Sequence, residues 1–125
     1  MAVSGVSLAR AHGGFNVIGG LWPLVSRRSF EAVFGPKRDH WLQFTVASLL
    51  VGNGVVQLLS EPTAGGVRNA RRLGVATALA LLGIDLRYVP DGTIPKTYLL
   101  DAAMEIGWLA AWAAHAADDR STTTS

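Results

Sequence analysis

The stretch WLQFTVASLLVGNGVVQLLS, residues 41–60, decides the fold. It holds no charged residue in twenty positions. A helix rises about 1.5 Å per residue, so this run covers the ~30 Å of a bilayer's hydrocarbon core. Gln43, Ser48, Asn53 and Gln57 are the main polar side chains it could turn toward water. The alternative is a soluble four-helix bundle, and a mean hydropathy of +0.30 is low for a membrane protein. The uncharged run favours the transmembrane reading.

Outward from this stretch, proline and charge divide the chain into four segments. They span 7–26, 41–60, 67–89 and 96–117. Pro36, Pro62, Pro90 and Pro95 fall between them, as helix breakers should. Asp39 is a candidate N-cap for the second segment, and Pro95 suits the first turn of the fourth. Segment one carries Pro23, which membrane helices tolerate better than soluble ones. Trp22, Trp41, Tyr88 and Tyr98 lie near segment ends, where aromatic belts form. Ala70, Gly74 and Ala78 would let helices approach closely. Between segments one and two, Phe30, Val33 and Phe34 share one face of a short helix that Gly35-Pro36 ends. It reads as an interfacial helix on the membrane, or as a connector packing its Phe residues into the bundle end.

The expected fold is therefore all-α: a four-helix transmembrane bundle with a short interfacial helix between helices 1 and 2. Residues 1–118 form one membrane domain, and the polar tail 119–125 is expected to be disordered.

Composition supports a membrane site and narrows the chemistry. Of 125 residues, 50% are hydrophobic and 16% charged, against ~25% charged in soluble domains. The chain lacks cysteine, which excludes disulfides, thiolate metal sites and cysteine nucleophiles. A net charge of +2 gives no case for nucleic acid. The opening residues lack a basic leader, so no cleavable signal peptide is expected. With four spans, Arg10, Arg68, Arg71, Arg72 and Arg120 fall on one side. Arg27, Arg28, Lys37, Arg38, Arg87 and Lys96 fall on the other. That near balance sets no orientation by the positive-inside rule. The Arg27–Arg38 loop is placed on the cytoplasmic side of a bacterial inner membrane.

The fourth segment carries the candidate site. Asp101, Glu105, Trp108, Trp112 and His115 are spaced four, three, four and three, so a helix sets all five on one stripe. Asp101 lies ~8 Å and Glu105 ~14 Å inside the membrane. A mid-membrane carboxylate has to be protonated or paired, and intramembrane charge usually faces a bundle interior or a wet cavity. Asp85 on segment three should share Asp101's depth, with Arg87 and Tyr88 near enough to neutralise one of the two. From the other face come His12 and Asn16, and Asn53 and Gln57, each pair four apart. The ligand-binding candidates are Asp101, Glu105, Trp108, Trp112, Asn16, Asn53, His12 and Asp85. No catalytic residue is assigned, and no metal site or cofactor is expected. His12, His40 and His115 are scattered, no Gly-Gly pair precedes a phosphate-loop Lys, and Glu-x-x-His pairs are absent.

The size and four-span plan resemble those of small uncharacterised membrane proteins common in bacteria. Small multidrug exporters are similar in length and span number, with one embedded Glu in their first helix. The acids here fall in the third and fourth segments instead. Three functions are open. One is binding or transport of a cationic or amphiphilic small molecule in an acidic, Trp-lined cavity, since carboxylates and aromatic faces attract cations. The second is a structural or accessory subunit whose acids hold helices, a second copy or a partner membrane protein. The third is a membrane enzyme acting on a lipid or isoprenoid, with Glu105 and Asp101 as acid and base.

Overall fold

A computed structural model describes residues 4–37 and 39–123, with side chains described through Ala117. Five helices follow in order: α1 (Gly5–Val25), α2 (Arg27–Phe34), α3 (His40–Leu58), α4 (Ala64–Tyr88) and α5 (Tyr98–Thr123). The described residues contain no strand. The four long helices match the four segments, and α2 is the short helix expected between the first two. α5 remains helical to Thr123; residues 124–125, where the tail expected to be disordered ends, lie outside the described residues.

Local chemistry sets most ends. The Ser4 hydroxyl accepts from the Ser7 amide at 3.1 Å and starts α1. The Thr63 hydroxyl accepts from the Gly66 amide at 3.0 Å and starts α4. Asp39 occupies the N-cap of α3, but its side chain makes no capping bond. Pro95 is not in the first turn of α5. It closes a tight turn in which the Tyr98 amide donates to its carbonyl at 3.1 Å. That turn depends on Gly92, at a φ of 81°, and on Asp91, which accepts from the Thr93 hydroxyl and amide at 2.6 and 3.0 Å. Those bonds, together with Arg87, hold the Asp91 carboxyl below its usual range.

Two antiparallel pairs build the bundle. In the first, α1 and α3 meet backbone to backbone. A Cβ on Gly13 would lie 2.7 Å from the Gly54 carbonyl oxygen, and one on Gly20 would lie 2.7 Å from that of Ala47. Only small residues permit this approach. α4 and α5 form the second pair, joined by the turn at 89–97.

Polar side chains fill the space between the pairs. Trp112, His12, Gln57, Glu105 and Asn16 are the largest fully buried side chains, and four of these five are polar. The purely apolar cluster is small, built on Leu8, Ala9, Ala70 and Trp112. Large apolar side chains instead point out: Ile18 is 71% exposed, Leu49 64% and Leu100 60%. This reverses the usual distribution of a water-soluble bundle. Among the described residues, only α3 is both long and apolar enough to cross a membrane by length and composition. The other long helices reach the length, but α4 carries three arginines near its start and Asp85 and Arg87 near its end, and α5 carries Asp101 and Glu105.

α2 packs its aromatic face onto one end of the bundle. Phe30 and Phe34 meet Trp22 edge-on at 5.4 and 5.8 Å, and Phe34 meets Tyr98 at 4.8 Å. Gly35, at a φ of 91°, passes close to Pro95. The following Lys37 ammonium donates to the carbonyls of Phe34 and Gly35 at 2.9 and 3.1 Å and lies 4.9 Å above the Tyr98 ring. Burial lowers the Lys37 pKa, and the Glu31 carboxylate opposes that shift.

Candidate functional site

The stripe on α5 faces inward as its spacing requires. Glu105 and Trp112 are fully buried, Asp101, Trp108 and His115 are half-buried, and Leu99 and Leu100 face out. The stripe runs from the acids Asp101 and Glu105 to the aromatics Trp108 and Trp112. It takes part in two distinct polar layers.

The first layer centres on His12. Its Nδ1 accepts from the Trp112 indole N–H at 2.9 Å and contacts the Gln57 amide nitrogen at 3.2 Å. An indole N–H only donates, so Nδ1 must be bare and the neutral ring carries its proton on Nε2. That nitrogen is buried and has no partner among the described residues. Trp108 stacks on the imidazole at 4.5 Å and 11°. Gln57 extends the network, accepting from Asn16 at 2.7 Å and donating to the Ala70 carbonyl at 3.4 Å. Gly74 makes this possible, since a Cβ there would lie 2.5 Å from the Gln57 amide nitrogen and 2.7 Å from His12 Nδ1. Close by, Asn53 donates to Thr77 at 3.1 Å and so ties α3 to α4.

The second layer is acidic. Asp101 neighbours both Asp85 and Glu105. Asp85 is only 2% exposed, and its Oδ2 has no partner. Both oxygens of Glu105 are buried, with no N–H or O–H donor on them among the described residues. Among the described residues, no arginine or lysine neutralises this trio. Arg87, expected to pair with Asp85, instead bonds Asp91 at 2.8 Å. The reason is helical geometry: two residues along a helix turn a side chain by roughly 200°, to the opposite face. Three carboxyls this close repel unless protons or a cation lie between them. No group of three His, Cys, Asp or Glu among the described residues is arranged to hold a metal ion.

The structure thus joins His12, Asn16, Trp108 and Trp112 in one layer and Asp85, Asp101 and Glu105 in another. Asn53 stands aside with Thr77. Trp108 stacks on His12, and Trp112 donates to it. Gln57 is the hub of the first layer and was only a secondary feature of the sequence. The one signal for its role is its spacing of three from Gly54, on the face that packs against α1. Thr77 gave no signal, because a lone Thr in an apolar run usually bonds its own helix, as it also does here to the Leu73 carbonyl at 2.8 Å.

No protein-family model, curated protein or solved structure matches this chain.

Proposed function

We propose that the chain is a small four-span membrane protein that binds, and exchanges against protons, a cationic or amphiphilic small molecule at Asp85, Asp101 and Glu105. The observation that carries this reading is Glu105, fully buried beside Asp101, with both carboxyl oxygens unpartnered among the described residues. A buried carboxyl without a cationic side chain is costly and marks a functional position in a membrane interior. The apolar outer surface supports a lipid environment for all four long helices, and α2 would lie at the membrane interface.

Binding of a cation would release the protons that otherwise relieve repulsion within the trio. The test is titration of the purified protein in neutral detergent with tetraphenylphosphonium, in weakly buffered solution with a pH indicator. Saturable binding with proton release is expected, lost in Glu105→Gln and weakened in Asp101→Asn. Saturable binding that both variants leave unchanged, or no binding, overturns the reading. A structural or accessory role is the second reading. It is favoured by the closed His12–Gln57–Asn16 network, whose bonds hold α1 to α3 and, through Trp112, to α5.

A further inference from the structure

We propose that the groove between α4 and α5, with the basic depression beside it, binds one anionic phospholipid, its phosphate on Arg71 and one acyl chain along the groove. This goes beyond the carboxylate site but rests on the membrane reading above.

The groove has a volume of about 320 Å³. Arg71 and Arg72 stand at its head, and Val75, Leu109, Ala113 and Ala116 line it over the buried Trp112. Beyond the two arginines, the described residues of its lining are apolar apart from the Trp112 indole, whose N–H is already committed to His12. An occupant therefore needs an anionic head and a hydrocarbon tail.

The neighbouring depression, about 180 Å³, supplies the seat for the head. Arg71 lines both, so its side chain borders the groove and the depression alike. Arg68 and His115 complete its basic side. The first residues of α1 and of α4 line the rest, so two helix N-termini converge on the same space. Ser4 and Thr63 each satisfy one amide of their helix, and the other first-turn amides have no partner within the helix. Such amides and the positive ends of helix dipoles favour phosphate. An arginine fork matches phosphate oxygens two at a time. Among the described residues, no acidic side chain lines either depression. Both lie at the opposite end of α4 and α5 from the acidic trio, so a cation at one site and a phosphate at the other do not compete.

Native mass spectrometry of the full chain in neutral detergent tests this, with phosphatidylglycerol, phosphatidylcholine of matched chains, and inorganic phosphate as separate arms. Retention of phosphatidylglycerol about tenfold above phosphatidylcholine is expected. Arg71→Gln with Arg72→Gln should bring the two lipids level. Ala113→Leu should fill the groove and lower lipid retention while leaving binding of inorganic phosphate intact; it also serves if the double variant fails to fold. Equal retention of both lipids overturns the site. So does phosphatidylglycerol retention that neither variant lowers. Binding of inorganic phosphate without preference between the lipids assigns the depression to a free anion and also overturns the lipid site. Carbonate washing of membranes separates the two levels of the argument. A protein that resists washing yet shows no lipid preference loses only this site, whereas one released by washing loses the membrane reading and this site together.

Discussion

Trp112 and His12 lie 100 residues apart and are joined by a 2.9 Å hydrogen bond from the indole N–H to Nδ1. Both side chains are fully buried. One bond therefore fixes the position of α5 on α1, the ring tautomer of His12 and the unshared N–H on its far side.

Removing this donor should loosen the bundle without unfolding it. Trp112→Phe keeps much of the packing but leaves Nδ1 with only the longer contact to Gln57 at 3.2 Å. A loss of about 1–3 kcal/mol is expected, combining one bond and some volume. Thermal unfolding in detergent measures it, and an unchanged midpoint would show that the bond contributes nothing.

The α1–α3 seam should be far less tolerant than the helix surface. Gly54→Ala places a methyl group 2.6 Å from the Gly13 carbonyl oxygen, with Val17 also in the way. Backbone must move, at a cost of about 1–3 kcal/mol. Gly52→Ala, only two residues away, meets nothing within 4 Å and should be neutral or stabilising by up to about 1 kcal/mol. Equal effects of the two substitutions on the unfolding midpoint would refute the seam.

Glu105→Gln should fold like the parent, because the amide has nearly the shape of the protonated acid. Glu105→Trp should not accumulate in membranes, since it forces a much larger side chain into a fully buried position. Expression level and circular dichroism distinguish the pair. Poor folding of Glu105→Gln would mean that the carboxyl has a structural partner.

The turn at 89–97 should be acid-sensitive. The Thr93 bonds and Arg87 hold Asp91 below its usual range, so its contribution is present above the unfolded-state value near 4 and lost as pH falls through the lower folded-state value. Asp91→Asn should flatten the stability profile below about pH 4 and leave it unchanged near neutrality apart from a small constant offset. Its exposure to solvent keeps the effect small. Unfolding midpoints between acid and neutral pH give the slope.

The outward apolar residues should report lipid. The chain has no cysteine, so single cysteines can carry nitroxides without background. Labels at Leu49, Ile84 and Leu100, which are 64%, 52% and 60% exposed, should be accessible to oxygen and shielded from a water-soluble nickel relaxant in liposomes. Free access of the nickel reagent at all three would place these faces in water.

The sequence by itself determined which stretches become helix, where they break and which face of α5 turns inward. Charge-free runs, the four intersegment prolines and the four–three spacing from Asp101 to His115 are local signals, and helical periodicity acts on them within a few residues. The sequence also marked Glu105 and Asp85 as expensive to bury. Which partner each polar group meets was decided only by the tertiary structure. Arg87 turned to Asp91 and left Asp85 to Asp101, and the tryptophans went to His12. Gln57 became a hub because Gly74 on another helix left room for it. Those outcomes depend on the register and rotation of α1, α3, α4 and α5 against one another. Register is set by backbone contact at Gly13, Gly20 and Gly54, and a glycine's lack of a side chain gives no sign in the sequence of which helix will press against it.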